Sequence, residues 1–246
     1  MRKLLTTLLL ILGLTTFASA TNIKMMTENY PPYNMEVEGK LQGLSVEVLE
    51  AMLKQMNSKK TTYDIELLSW SKAYETAKNH KNTMVFSTTR TKTREKLFKW
   101  VGPISKTTIG VVTLKNKNIK INNISDLKKY TIGCVKKDIG ETLLLESGIP
   151  KKNLKPLDGT NSLATSFYKL ERDQIDLFAY ETRVTKYSAD LNGFDSSEYE
   201  TVYILKRGEL YFAFNRLTSN KIIKKWQDAL DAIKANGVYA KILKKY

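Results

Sequence analysis

The chain has 246 residues, with 40 Lys and Arg against 25 Asp and Glu, a formal net charge of +15, and a single Cys. One Cys, Cys134, excludes an intrachain disulfide, and the length suits one large or two modest domains with a real core. The charge makes nucleic acid or an anionic membrane the default partner, but the excess is mostly Lys scattered along the chain, and the N-terminus directs the protein away from nucleic acid.

Residues 1–20 read as a signal peptide. Arg2 and Lys3 form a basic start, Leu4 to Phe17 is largely apolar, and Ala18-Ser19-Ala20 is a small-residue cleavage site. Cleavage there places the mature protein in the periplasm. Asn22 to Met26 then reads as a strand. The loop Thr27 to Tyr33 follows, where Pro31 and Pro32 fix φ and present Tyr30 with little freedom. Ser45 is expected to cap a helix in which Val46, Leu49, Met52, Leu53 and Met56 recur at helical spacing. Asp64 to Leu68 reads as a strand, Trp70 precedes a helix over about Ser71 to His80, and Thr83 to Phe86 is the next strand.

The stretch Ser87 to Arg94 organises the chain. A strand ends there in hydroxyls, and a helix is expected to open there with Thr91 as its N-cap. Free N–H groups and the helix dipole make such a start an anion seat. The dipole does not favour Arg94 in a first turn. A bound carboxylate explains it, because the guanidinium fork holds one through two hydrogen bonds. The alternative is a capped helix with Arg94 paired to a surface acid.

Trp100 to Pro103 is expected to close the first βα series, and Thr108 to Lys115 to cross into a second domain. Ser125-Asp126-Leu127 opens a short helix, and Thr131 to Val135 is a strand carrying Cys134 as a small core residue. Asp138 to Glu141 opens another helix, Lys155 to Leu157 is a strand, and Asn161 to Glu171 is helical. Ile175 to Tyr180 is a strand with Glu181 at its C-terminal end. Glu209 to Asn215 carries the chain back, and Ser219 to Asn236 is a helix stopped by Gly237. A last basic helix follows. His80 falls in a polar turn. This βα alternation implies parallel-type sheets covered by helices, with ligands at the C-terminal ends of strands.

Several of these segments together resemble the extracellular solute-binding proteins of family 3, the polar amino-acid group that serves ABC importers. They are Tyr30-Pro31-Pro32-Tyr33, Gly39-Lys40-Leu41 with Gly43, Thr91-Lys92-Thr93-Arg94, Ile175-Asp176 with Glu181, and Gly237 to Ile242. The resemblance implies an α/β, two-lobed periplasmic binding protein fold of type II. Residues 21–108 and 206–246 form lobe 1, residues 109–205 form lobe 2, and two crossover strands join them around an enclosed ligand. Arg94 then holds a ligand carboxylate with Thr89. Glu181 stands where the family usually has an Asp that binds the α-amino group, and Tyr30 and Trp70 wall the pocket. Plain packing for the two aromatics, and a simple helix cap for Glu181, stay open.

Asp138 departs from the small or hydroxyl residues the family often has there. An Asp repels a carboxylate, so it either meets an amine or faces away. Arg90 also departs, and is either a second anion contact or the partner of an acidic neighbour. The implied protein is a monomer that captures a small amino-acid-like molecule by clamshell closure and hands it to a membrane permease. No cofactor, metal, nucleic acid or catalytic residue is expected. The alternatives are a periplasmic dehydratase or lyase on the same fold, with Glu181, Asp138 or Glu28 as the acid or base, and a ligand-sensing subunit.

Overall fold

The computed structural model describes residues 22–246. The expected signal peptide and its cleavage site lie outside them. The described chain folds as an eight-stranded mixed sheet with helices packed on it and a separate small hairpin.

The sheet is built around two strands far longer than the usual five or six residues. These are β6 (Phe98–Leu114) and β10 (Tyr199–Asn215), each 17 residues long. They pair antiparallel along their whole length, from Phe98 opposite Asn215 to Leu114 opposite Tyr199. The remaining strands attach to opposite ends of this ladder. On one side, β1 (Lys24–Thr27) pairs parallel with β4 (Ile65–Leu67) and with β5 (Thr83–Thr89), and β5 pairs with the Leu210–Phe214 end of β10. On the other side, β7 (Ile132–Val135) pairs parallel with β8 (Leu154–Leu157) and β9 (Leu177–Glu181), and β9 pairs with Ile109–Val112 of β6. Among the described residues, no third strand pairs with Lys106–Thr108 or Arg207–Glu209 between the two attachments.

The hairpin of β2 (Met35–Val37) and β3 (Lys40–Gln42) leads into α1 (Leu44–Gln55). The other helices are α2 (Trp70–Asn79), α3 (Ile139–Glu146), α4 (Ser162–Glu171), α5 (Thr182–Leu191), α6 (Asn220–Ala235) and α7 (Val238–Leu243). Parallel strands covered on both faces read as continuous apolar runs, and β5 and β9 are buried at every position. Cys134 is fully buried in β7, and burial pushes its thiol up. His80 is exposed at the end of α2.

Two local expectations change. Ser45 does not cap α1. The cap position is Gly43, and the first N–H groups donate to the carbonyls of Pro32 (3.0 Å) and Tyr33 (2.8 Å). The aromatic loop therefore caps the helix itself. Gly43 has φ +123, and a Cβ there would lie 2.6 Å from the Tyr33 carbonyl oxygen, so only glycine lets the two segments meet. The helix expected after β5 is also absent. Residues 92–97 form turns that run straight into β6. Thr91 Oγ1 still accepts from the Arg94 N–H at 3.2 Å, but as a local side-chain turn. The eight residues that separate β5 from β6 leave little room for a costly helical nucleus to be repaid by packing.

Candidate functional site

Four charged side chains are buried where the two halves of the sheet face each other. Arg94 is 3% exposed, Glu28 9%, Asp138 4% and Glu181 2%. Each sits at or just after the C-terminal end of a strand: Glu28 after β1, Arg94 after β5, Asp138 after β7 and Glu181 in β9. Aromatic rings surround them. Tyr30 stacks on Tyr33 and meets Tyr180 edge-on, with ring centres 5.5 Å apart in both pairs. The Tyr30–Tyr180 contact crosses between the halves.

Arg94 lies over the rings of Trp70 and Tyr74, 5.5 and 5.0 Å from their centres. These two rings stand one turn apart on α2. Such contacts favour a desolvated guanidinium. Its nitrogens donate to the carbonyl of Thr89 at 3.3 Å and to the carbonyl of Lys137, from the opposite half, at 3.1 Å. Among the described residues it has no ion-pair partner. A buried arginine held by two neutral carbonyls keeps donors and charge for an anion.

The three acids are not equivalent. Glu181 is tied to its own chain at both oxygens. Its Oε2 accepts from the Val184 N–H at 2.6 Å, capping α5. Its Oε1 accepts from the Thr108 N–H (3.2 Å) and the Thr107 hydroxyl (3.4 Å), and the Tyr33 hydroxyl is shared between it (3.5 Å) and the nearer Lys106 carbonyl (3.2 Å). Asp138 caps α3 through Gly140 N–H at 3.5 Å. Gly140 lets this helix start press on β9, since a Cβ there would lie 2.5 Å from the Ala179 carbonyl oxygen. Among the described residues the Glu28 carboxyl receives a single hydrogen bond, from the Tyr180 hydroxyl at 3.4 Å. Burial raises the carboxyl pKa of all three. For Glu28, Asp138 adds to the rise, while Tyr180 and Arg94 oppose it.

The loop carrying Glu28 is fixed from behind. Its carbonyl accepts from Asn34 Nδ2 at 2.5 Å, and the Ser87 hydroxyl bonds to Asn34 Oδ1 and, at 2.9 Å, to Ser45. Ser87 holds a left-handed backbone, φ 59. A non-glycine residue in that region is strained, and such strain often clusters at functional sites. The space left between the halves is a cavity of about 10 Å³ bordered by Glu28, Ser69, Trp70, Thr160, Ser162 and Tyr180.

Arg90 does not join this cluster. Its guanidinium makes two hydrogen bonds to Glu95, from Nε at 2.7 Å and Nη2 at 2.5 Å, and stacks near Trp100 and Tyr211. It borders a wider groove of about 450 Å³ with Lys106, Lys206, Arg207 and Glu209. That groove is the larger opening, but its cations reach solvent, whereas of the four buried charges Glu28 borders the smaller cavity. Tyr30, Trp70, Thr89, Arg94, Asp138 and Glu181 converge; Arg90 stands apart.

Three further residues complete the arrangement; Tyr180 and Lys137 lie at the strand ends where the sequence places ligands, and Tyr74 does not. Tyr74 is one helical turn from Trp70, a spacing that could have flagged it. Tyr180 precedes Glu181 in β9 and so faces the other side of the strand. Lys137 contributes a carbonyl made available by its left-handed backbone (φ 62), which no side-chain pattern reveals.

The model of the bacterial extracellular solute-binding proteins, family 3, matches residues 23–246. No protein with a curated function matches by sequence. Among solved structures, an ancestral arginine-binding protein bound to glutamine superposes with a TM-score of 0.76 at 22% identity, covering 92% of this chain and 97% of that one. The arginine-, lysine-, histidine-binding protein ArtJ from the thermophilic bacterium Geobacillus stearothermophilus gives 0.75 at 17% identity, covering 91% and 94%. A histidine kinase sensor domain with similarity to periplasmic binding proteins gives 0.78 at 16% identity, covering 92% and 96%. At these identities the likeness is one of fold.

Proposed function

This chain belongs to the family 3 bacterial extracellular solute-binding proteins, and from that premise we propose that it captures a free amino acid outside the cytoplasm for a membrane permease of an ABC importer. The observation that carries the reading is Arg94, buried, stacked on two rings and without an acidic partner among the described residues. Its free donors suit the α-carboxylate, with Thr89 beside it, and Tyr30 and Trp70 provide the apolar walls. The arginine-binding relatives in fold support an amino acid as the ligand class.

Lobe 1 is then residues 21–108 and 206–246, and lobe 2 residues 109–205. Their hinge is the stretch where β6 and β10 pair with no third strand. A cavity of about 10 Å³ has room for about one water molecule. An amino acid therefore enters only when the lobes part, and its contacts to both favour closure by its differential affinity for the closed form. The mature protein acts as a monomer that presents its closed shape to the permease.

The test is calorimetric titration of the purified mature protein with the twenty amino acids. Micromolar or tighter binding of at least one, with loss of that binding in Arg94→Ala, is the expected result. No binding across the set overturns the ligand class.

A further inference from the structure

We propose that the groove at the free edge of β10 is a second binding site, for a phosphate-class dianion, separate from the buried cluster around Arg94. The proposal stands on the groove's own charges and backbone, and does not depend on the amino-acid reading above.

The groove forms where β5 stops. Beyond the pairing of Thr89 with Leu210, no strand among the described residues continues along the outer edge of β10. Arg90 closes that end. Its N–H donates to the Glu209 carbonyl at 3.4 Å, and its guanidinium turns back to Glu95. Backbone groups point to alternate sides along an antiparallel strand, so Arg207, two residues from Glu209, also turns its N–H to the open edge. The residues across the ladder agree. Lys106 and Thr108, opposite Glu209 and Arg207, turn their backbone groups away from β10, toward the Tyr33 hydroxyl and the Glu181 carboxyl. A backbone donor thus stands at the rim of a space of about 450 Å³.

The side chains around that space are cationic and uncommitted. Lys106, Lys206 and Arg207 line it, and among the described residues none of the three forms an ion pair. Gly208 keeps the floor between them low, with Lys206 Cε 3.6 Å and Thr89 Cγ2 3.7 Å from where a Cβ would stand. Glu209 also borders the groove, but its carboxylate accepts from the Tyr211 hydroxyl at 2.9 Å and meets no cation. Arg90 and Glu95 cancel, so three cations and one acid leave 3 − 1 = +2. Like charges gathered in a groove repel one another and focus a positive field on it. A dianion cancels that charge, and lysine ammoniums, an arginine fork and a backbone N–H are the donors that suit phosphate oxygens. The space falls within the roughly 300–1,000 Å³ of small-molecule sites. It therefore holds more than a lone phosphate, and the phosphate is expected to carry a further group. Two sources supply that chemistry, a free phosphate compound and a lipid headgroup.

Two probes separate the sources, at fixed ionic strength in a phosphate-free buffer. Pyrophosphate is titrated by calorimetry, and phosphatidylcholine vesicles with about one-fifth phosphatidic acid are sedimented with the protein. The groove variant combines Lys106→Gln, Lys206→Gln and Arg207→Gln. A control of equal charge combines Lys59→Gln, Lys81→Gln and Lys241→Gln, three exposed lysines elsewhere on the surface. The groove variant is expected to weaken binding by about tenfold or more, and the control by less than about threefold. Pyrophosphate binding lost in the groove variant assigns a free phosphate compound, and vesicle binding alone, lost in the same way, assigns a headgroup; both support the site. Arg207→Gln alone leaves the edge N–H in place, is expected to weaken binding by about threefold or more, and serves if the triple variant does not fold. Equal weakening in the two triple variants assigns the effect to overall charge and overturns the site. Binding lost in Arg94→Ala and kept in the groove variant moves the anion to the buried cluster and overturns it too. A wild type that binds neither probe overturns the site and leaves the amino-acid reading untouched.

Discussion

At the scale of single residues, the proposed reading separates a ligand-holding side chain from a structural one by unspent bonding capacity. Arg94 and Arg90 lie four residues apart, and both stack on aromatic rings. Arg90 gives its fork to Glu95 at the surface, where an ion pair contributes at most about 1 kcal/mol. Arg94 keeps its fork buried and without an acid. Arg94→Ala is therefore expected to weaken the tightest-binding amino acid by about a hundredfold or more, and Arg90→Ala by less than about threefold, by calorimetric titration. The motif made Arg94 legible in the sequence. It did not reveal that Glu181 is tied to α5 and β6 while Glu28 is held by Tyr180, because these hydrogen-bond partners lie up to 152 positions apart. The buried acids also fix a pH dependence. Glu28, Asp138 and Glu181 all have raised pKa values, chiefly through burial. Their folded forms hold protons that the unfolded chain releases above about pH 4. The stability they contribute is fully present below that point and is lost as pH rises through the folded values. The acids held low, such as Glu75 and Asp158, act in the opposite sense as pH falls further. Without added ligand the melting temperature is expected to fall over the window that opens above about pH 4, as these groups lose their protons, and Glu28→Gln to flatten that slope. A wild-type profile that rises over this window contradicts the assignment of these groups.

At the scale of elements, the helices were legible where the core imposes their period. Leu49, Met52 and Leu53 of α1, and Trp226, Leu230 and Ile233 of α6, are buried as their spacing predicts. The failure came between β5 and β6, where a capping pattern met a segment too short for a helix. Thr91 still caps a turn, so the local signal was real and the tertiary context decided its length. The two long strands were seen only in part, as Thr108 to Lys115 and Glu209 to Asn215. Their other halves carry polar and half-buried positions, with register shifts that break the alternation. Glu181 ties these elements together, since one side chain caps α5 and grips β6 at Thr107 and Thr108. Glu181→Ala removes a helix cap and leaves buried donors unpaired. It is expected to cost about 2 kcal/mol or more in urea unfolding. A cost below about 0.5 kcal/mol would show that these bonds are not formed in solution.

At the scale of the whole molecule, the halves are held by contacts that no ligand supplies. Trp70 Nε1 donates to the Lys137 carbonyl at 3.0 Å, the same oxygen that accepts from Arg94. The Lys137 ammonium pairs with Glu75 at 3.0 Å, and the Ser71 hydroxyl donates to Asp158 at 2.5 Å. All four partners on one side come from α2 or the turn after β5, and all on the other from the loops after β7 and β8. The Lys137 carbonyl occupies part of the Arg94 fork, so under the proposed function ligand entry and this contact compete for Arg94. Closing energy is thus divided between the rim and the ligand, and weakening the rim moves the balance toward the open form. Trp70→Phe keeps the ring over Arg94 but loses the bond to Lys137. In small-angle scattering without ligand, this variant is expected to show a larger radius of gyration than wild type, and saturating ligand is expected to bring the two together. Calorimetry on the same variant should give a weaker apparent affinity, by about threefold to tenfold, because more of the binding energy is spent on closure. If both radii stay equal without ligand, the rim does not set the balance, and the hinge in β6 and β10 alone must decide how far the lobes part.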